Sequence, residues 1–287
     1  MEIQIVKLIG QGNTAEIYRL EGQKILKLYR LGLPSVVIER EYQNGLMIQD
    51  ILDHVPRTYE IVKVQERSGI VFEEIHGKDL LKVMLSSPWK INAYSRKLAH
   101  YHLEIQKPVS DALWSVKEKL RNDLEGVETL SDEYREVILR QIDALPDGVT
   151  LCHFDFHPGN IMISEQKAIV LDWMTACRGD ACADVARTGI LLKYGEVLNA
   201  PWLVKRLISL FQRHIYKIYI EEYLSISGKS MEQIEQWELP VIAARLREWI
   251  SDHERQVLLD LVSQRCQSII NRILLPCSNG DTQSKTV

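Results

Sequence analysis

The stretch that decides the fold is LCHFDFHPGNIMI, residues 151–163, in which a polar loop separates two short apolar runs. Within it, Asp155 is followed five residues later by Asn160. This spacing is typical of a phosphoryl-transfer loop, where the Asp takes the acceptor's hydroxyl proton and the Asn holds a metal ion. A second apolar run, residues 168–171, ends at Asp172, which is placed to share that metal. The sequence therefore predicts a catalytic Asp155 beside a magnesium site formed by Asn160 and Asp172.

The pattern HxDxHxxN, from His153 to Asn160, continues into the string IVLDW at residues 169–173. Together the two strings resemble the catalytic loop of the aminoglycoside phosphotransferase and choline kinase family. The resemblance implies an α+β, protein-kinase-like fold with a small N-terminal antiparallel-sheet lobe and a larger, mainly helical C-terminal lobe. It also implies a small-molecule kinase that uses ATP or GTP as phosphoryl donor together with Mg²⁺. The partner would be a hydroxylated acceptor, such as an aminoglycoside, an amino alcohol or a sugar.

Length and composition narrow the class of protein. A chain of 287 residues is long enough to divide into two lobes, and we place the boundary near His76, with a nucleotide-binding lobe at 1–76 and a catalytic, substrate-binding lobe at 77–287. A net charge of −4 gives no electrostatic footprint for nucleic acid. The five cysteines form no CxxC pair, which argues against a disulfide framework or a zinc site. Since no apolar run approaches bilayer length, we expect a cytoplasmic protein without a membrane partner.

The N-terminal residues read as short strands joined by tight turns. Between the first two strands lies a loop that contains Gly10, Gly12, Asn13 and Thr14, and its glycines allow backbone amides to approach phosphate oxygens. The same GxGxxA pattern also opens dinucleotide-binding folds when a helix follows. Here residues 16–20 alternate like a strand, so a kinase-type hairpin is favoured, and an ordinary glycine-containing hairpin stays as the alternative.

The sequence also predicts which residues grip the phosphates. Lys27 lies in the apolar strand ILKL, where a kinase lysine would point towards the α- and β-phosphates, although a solvated lysine on a half-exposed strand fits the pattern as well. A helix is expected from Ser35 towards Leu52. On it, helical spacing places Glu41 on the apolar face and turns Glu39 away, so Glu41 is the predicted partner of Lys27.

Other assignments depend on the family resemblance. It implies that the backbone around Glu73 and Ile75, at the end of a predicted strand, pairs with the adenine ring. It also implies that Asp184 braces the catalytic loop without taking part in the chemistry. We interpret His100 and His102, on a predicted helix, as packed structural histidines.

The remaining helices are predicted from periodicity and punctuation. Pro201 opens a long amphipathic helix, whereas the string Glu238-Leu239-Pro240 is expected to interrupt a later one. Acidic and tryptophan side chains of this region are candidates for a pocket that binds a cationic acceptor, with a solvated helix face and core packing as the alternatives. They are Glu221, Glu222, Glu232, Glu235, Glu238, Trp237 and Trp249.

Two other function classes remain open from the residues alone. In the first, His153, Asp155 and His157 bind zinc and activate water in a hydrolase, which would leave Asn160 and Asp172 unexplained. In the kinase interpretation, both histidines instead hydrogen-bond the loop backbone and fix its shape. The second class is a nucleotide-binding scaffold without catalysis, and the full set of kinase residues argues against it.

Overall fold

The computed structural model describes residues 5–165, 167–196 and 201–274. The first part is a five-stranded antiparallel sheet with the strand order β1-β2-β3-β5-β4. Its strands are β1 (Ile5–Gln11), β2 (Ala15–Leu20), β3 (Lys24–Tyr29), β4 (Thr58–Val64) and β5 (Arg67–Glu73). The predicted hairpin around the glycine loop is present, since β1 pairs antiparallel with β2.

The helix α1 (Ser35–Gln49) covers one face of this sheet and ends close to where the sequence predicts. Its buried Ile38 packs in a cluster with Tyr29 of β3 and Ile70 of β5. Because side chains alternate along a strand, Lys27 shares the face of Tyr29 and points towards α1. The sheet and the helix therefore decide a direction that the strand pattern left open.

The rest of the chain is mainly helical. A short β6 (Lys78–Asp79) leads into α2 (Leu80–Ser86), α3 (Ile91–Ile105), α4 (Val116–Glu125) and α5 (Asp132–Ala144). The catalytic region contains β7 (Thr150–Cys152), β8 (Ile161–Ser164), β9 (Lys167–Val170) and β10 (Cys177–Gly179), and the chain continues with α6 (Ala181–Tyr194), α7 (Trp202–Ser227), α8 (Met231–Arg245) and α9 (Asp252–Leu274). A small sheet followed by a large helical part confirms the predicted fold class.

The main hydrophobic core lies among these helices, with α6 and α8 buried along most of their length. Side-chain caps fix several helix starts, including Ser115 at α4, Asp180 at α6 and Ser230 at α8. The Ser115 and Ser230 caps are reciprocal capping boxes.

The expected interruption at Pro240 is wrong, because Pro240 lies inside the continuous helix α8. A proline in a helix leaves the carbonyl four residues earlier without its amide partner. That carbonyl belongs to Gln236, and it accepts a hydrogen bond from Nε2 of Gln141 on α5 at 2.9 Å. A partner from a distant segment therefore lets the helix run through the proline.

The two histidines of α3 have different environments. His102 is fully buried and contacts α6 and α7, as expected for a structural histidine. The packed assignment of His100 is wrong, since its side chain is 55% exposed and hydrogen-bonds Glu222 at 3.0 Å on the surface. Two residues along a helix turn a side chain through about 200°, so the two neighbours cannot share one face.

None of the helices in the described ranges combines the length and the apolar character that a bilayer span needs. The cysteines of those ranges, at positions 152, 177, 182 and 266, are buried free thiols. The fifth, Cys277, lies outside the described residues.

Candidate active site

A cleft of about 480 Å³ opens between the sheet and the helical part. The volume falls in the range of small-molecule and cofactor sites. Apolar side chains of β2, β3, β5 and β8 form its walls, and polar groups gather at one end. Lining residues are Gly10, Ile17, Ile25, Lys27, Glu41, Phe72, Glu73, Ile75, Met162, Asn160, Leu171 and Asp172, among others.

Lys27 is the centre of the polar end. Its Nζ donates to Oε1 of Glu41 at 2.7 Å and to Oδ1 of Asp172 at 2.9 Å, and the residue is only 8% exposed. Burial opposes the ammonium charge, yet the pKa of Lys27 is raised because the two carboxylates outweigh it. The predicted choice of Glu41 over Glu39 agrees with this geometry, since Glu39 hydrogen-bonds Gln43 on the exposed side of α1.

Glu41 is held from a second side. Its Oε2 accepts from the hydroxyl of Tyr29 at 2.6 Å, so both carboxylate oxygens have a donor. The Glu41 side chain is 3% exposed. A buried carboxylate with two short hydrogen bonds has little freedom, and it fixes the direction of Lys27.

The β8–β9 hairpin places Asn160 and Asp172 side by side. Ile161 pairs with Val170 at the end of the ladder, and the Leu171 amide donates to the Asn160 carbonyl at 2.8 Å. Asp172 follows directly with a φ of 63°, an uncommon conformation for a residue with a side chain. Although burial disfavours its charge, the pKa of Asp172 is lowered by the Lys27 ammonium, which keeps it ionised.

Asp155 lies next to this pair. Nδ2 of Asn160 donates to the Asp155 carbonyl at 3.0 Å and to its Oδ2 at 3.1 Å. The Asp155 side chain is 32% exposed, and it is not among the residues that line the cleft. One amide therefore connects the predicted base to the predicted metal site.

The donor set fits a magnesium ion. Among the described residues, Oδ1 of Asn160 accepts no hydrogen bond and Oδ2 of Asp172 forms no ion pair. Carboxylate and amide oxygens are the ligands that magnesium prefers, usually one or two from the protein with phosphate oxygens and water completing the shell. Both residues also line the cleft, where a nucleotide's phosphates would supply those oxygens.

A buried brace holds the catalytic loop from behind. Asp184 of α6 accepts the amide of His153 at 2.7 Å and the amide of Phe154 at 2.8 Å. It also pairs with Nε2 of His102 at 3.0 Å, and His102 in turn contacts the hydroxyl of Tyr219 at 2.7 Å. Phe154 has a φ of 63°, so the brace stabilises a backbone conformation that is costly for a residue with a side chain.

The two loop histidines act on the backbone. Both ring nitrogens of His153 are in use, Nε2 with the Leu171 carbonyl at 2.9 Å and Nδ1 with the Asp155 amide at 3.2 Å. Nδ1 of His157 accepts the Gly159 amide at 3.0 Å, and burial lowers the pKa of His157, which favours the neutral ring that this bond needs.

This arrangement contradicts the zinc-hydrolase alternative. His153 is fully buried and has no free nitrogen, so it cannot ligate a metal together with Asp155 and His157. The residues that the structure describes contain no group of three His, Cys, Asp or Glu side chains suited to a metal ion.

The four predicted residues of the glycine loop lie differently with respect to the cleft. Of the four residues, Gly10 lines the cleft, whereas Gly12, Asn13 and Thr14 do not. Their carbonyls are tied to Arg30, which donates through its side chain to Gly12 and Asn13 and through its amide to Thr14. The loop is thus fastened to the end of β3, above the cleft.

The two predicted hinge residues, Glu73 and Ile75, both line the cleft but have different backbone hydrogen bonding. The Glu73 amide already donates to the Arg57 carbonyl at 2.9 Å, so it is not free for a nucleobase. No hydrogen bond within the described ranges uses the backbone of Ile75, which leaves both its amide and its carbonyl available. Next to it, Glu74 pairs with Arg19 of β2, Nε to Oε1 at 2.7 Å. No local sequence pattern indicates this ion pair, because its members are 55 residues apart.

The candidate acidic pocket does not form. Glu222 pairs with Arg96 and His100, whereas Glu238 is buried with Lys193 and Arg265. Trp237 is a core residue at 1% exposure, and Trp249 stands 78% exposed. No sequence pattern indicated Arg187, whose Nη2 lies 4.0 Å from Oδ1 of Asp155, or its partner Glu248.

Comparisons with known proteins show which solved structures share this fold. Solved structures with a similar fold include the ternary complex of APH(2'')-IIa with streptomycin and ATP, at 16% identity and a TM-score of 0.57, covering 91% of this chain and 92% of that one. A choline kinase from Cryptosporidium parvum aligns at 13% identity and a TM-score of 0.55, covering 96% and 92%. A choline/ethanolamine kinase family protein from Mesorhizobium loti aligns at 12% identity and 0.53, covering 94% and 88%. No curated protein sequence matches the chain.

The fold is two-lobed and kinase-like, and a lysine, two carboxylates and an asparagine lie around its cleft. The model of the phosphotransferase enzyme family (APH) matches residues 5–211. The chain therefore belongs to this family, and it is a phosphotransferase with an alcohol group as acceptor.

Proposed function

We propose that the protein transfers the γ-phosphoryl group of ATP or GTP to a hydroxyl group of a small molecule. The observation that supports this proposal best is the convergence of Lys27, Asn160 and Asp172 at one end of the cleft, with Asp155 bonded to Asn160. These groups come from three segments of the chain, and they match the lysine, metal ligands and base that phosphoryl transfer uses.

Each residue has one role in the proposal. The base of the nucleotide lies in the apolar part of the cleft and pairs with the free backbone groups of Ile75, and Gly10 leaves space for the phosphates. Lys27, oriented by Glu41, neutralises phosphate charge. Asn160 and Asp172 would hold Mg²⁺, which neutralises the charge of the phosphate oxygens when it is bound.

Asp155 is the proposed general base. It orients the acceptor hydroxyl towards the phosphate and takes its proton as the new bond forms. In this proposal, residues 1–76 form the nucleotide-binding lobe and residues 77–287 the catalytic and acceptor-binding lobe. The end of β5 at Glu73 and the start of β6 at Lys78 support a boundary at His76.

The acceptor is proposed to be an aminoglycoside, an amino alcohol or a sugar. Similar structures include a complex with streptomycin and a choline kinase, and both names indicate hydroxylated acceptors that carry nitrogen. The Asp155 side chain is 32% exposed at a point outside the lining of the nucleotide cleft. A small acceptor can reach it there.

Transfer is tested by incubating the protein with ATP or GTP, Mg²⁺ and a panel that includes streptomycin, choline and simple sugars. Slow transfer to water is measured as nucleotide hydrolysis. We expect Asp155→Ala to reduce turnover on the order of 10²–10⁴-fold, because a positioned base contributes about that much. Asp172→Ala should abolish magnesium-dependent turnover.

Two results would contradict the proposal. In one, the wild type binds neither nucleotide in the presence of magnesium. In the other, it binds nucleotide but neither transfers nor hydrolyses it, as a scaffold without catalysis would.

A further inference from the structure

Arg187 of α6 lies between two carboxylates at the edge of the catalytic loop. Its side chain is 4% exposed, and Nε donates to the Phe154 carbonyl at 3.1 Å. Nη2 lies 2.7 Å from Oε1 of Glu248 but 4.0 Å from Oδ1 of Asp155. The guanidinium is therefore bonded to Glu248 and stands just beyond hydrogen-bond distance from the proposed base.

The two oxygens of Asp155 are not equivalent. Oδ2 accepts from Nδ2 of Asn160, whereas Oδ1 accepts no hydrogen bond among the described residues. Oδ1 is the oxygen that can receive the acceptor hydroxyl. A direct, charge-assisted bond from Arg187 would occupy it and make it less basic.

Glu248 is itself fixed. It lies in the loop between α8 and α9, and its Oε2 accepts from Nη1 of Arg245 at 2.7 Å. Arg245 is held in turn by Glu254, with Nε to Oε1 at 2.6 Å. The carboxylate of Glu248 is thus anchored by two arginines, and its side chain remains 43% exposed at the surface near Asp155.

We propose that Glu248 is a positioning residue that holds Arg187 away from Asp155 and so leaves Oδ1 free for the acceptor hydroxyl. The inference rests on the proposed function, because it assigns Asp155 as the base. A buried arginine needs a carboxylate partner. When Glu248 loses its charge, Asp155 is the nearest other carboxylate that the structure gives to Arg187.

The variant Glu248→Gln tests this role, since it keeps the shape of the side chain and removes its charge. We expect kcat to fall at least about tenfold while the KM for ATP stays within about twofold, because the nucleotide cleft is untouched. Glu248→Asp keeps the charge and should recover part of the loss. The panel described above, or hydrolysis of ATP when no panel member is accepted, gives kcat.

Glu238→Gln is the matched control. Glu238 also bridges two cations, Lys193 and Arg265, and within the described ranges its side chain forms no hydrogen bond or ion pair with the catalytic loop. The Glu238→Gln variant should lose stability and keep the wild-type kcat. A crystal structure of Glu248→Gln provides a readout without turnover, and it should show Arg187 Nη2 within hydrogen-bond distance of Asp155 Oδ1.

The proposal is overturned if Glu248→Gln turns over like the wild type, if Glu238→Gln loses as much kcat, or if Arg187 stays 4.0 Å from Asp155 in the variant structure. The variant Asp155→Asn distinguishes a wrong role for Glu248 from a wrong assignment of Asp155 as the base. If Asp155→Asn is inactive and Glu248→Gln is fully active, only the role of Glu248 fails. If Asp155→Asn is fully active, the assignment of the base fails, and this inference fails with it.

Discussion

Replacing Asp184 by Asn should uncouple the catalytic loop from the core. Oδ2 of Asp184 accepts from the His153 amide and from His102, and Oδ1 accepts from the Phe154 amide. An Asn side chain keeps one acceptor oxygen and places an NH₂ group where the other stood. In its best orientation the oxygen still serves His153 and His102, and the Phe154 amide then faces another donor.

The expected loss of stability follows from the hydrogen bonds that Asp184→Asn removes or weakens. A buried donor without a partner costs about 1–3 kcal/mol, and the loss of a charged acceptor weakens the remaining bonds. We therefore expect the free energy of unfolding to fall by about 2–4 kcal/mol. For a chain of this size, each kcal/mol lowers the midpoint by roughly 2–4 °C, so the thermal midpoint should fall by roughly 4–16 °C. Turnover should fall as well, because Phe154 directly precedes Asp155.

Urea and thermal unfolding measure the stability, and nucleotide binding provides the check on the cleft. Asp180→Asn is the matched control on the same helix. Asp180 caps α6 by accepting the Cys182 amide at 2.8 Å, and Asn is an equally good cap, so the change should be within about 0.5 kcal/mol. The reasoning is refuted if Asp184→Asn is as stable as Asp180→Asn.

Two further predictions concern packing and pH. Gly45→Ala should destabilise the protein by about 1–3 kcal/mol and weaken ATP binding. The reason is that a Cβ at Gly45 would come within 2.3 Å of Thr58 Oγ1 and push α1, with Glu41, away from the sheet. Unchanged stability in urea and unchanged ATP affinity would contradict this prediction. Glu238→Gln should destabilise the protein at pH 7. Burial opposes its charge, but the cations beside Glu238 lower its pKa, so its stabilisation is present above the unfolded value of about 4.3 and lost as the pH falls through the folded value. The stability gap between wild type and variant should shrink below about pH 4 in urea titrations, and a gap that stays constant would refute the assignment.

Local patterns were sufficient for much of the site. The choice of Glu41 over Glu39 needed only the helical period, and the glycine hairpin needed only strand alternation. The spacing of Asp155 and Asn160 led to a loop between β7, which pairs with β10, and β8, which pairs with β9. In each of these cases, the decisive partners are close in sequence or belong to one regular element.

Contacts between distant segments were outside the reach of those patterns. The helix continues through Pro240 because Gln141 donates a hydrogen bond to the carbonyl of Gln236. These two residues are 95 positions apart in the sequence. Arg187 and Glu248 form an ion pair although they are 61 residues apart in sequence. No periodicity links the interior of α6 to the loop after α8. The Glu73 amide is used by Arg57 for the same kind of reason, since the pairing of β4 with β5 decides it.

The brace behind the catalytic loop also affects how the enzyme would lose activity on heating. Asp184, His102 and Tyr219 are fully buried and belong to three different helices of the main core. A loop fastened to such groups cannot open by itself at low free energy, because opening it exposes partners that only global unfolding releases. On heating, activity should therefore not be lost through local opening of the catalytic loop, which should stay folded until the helical core itself unfolds.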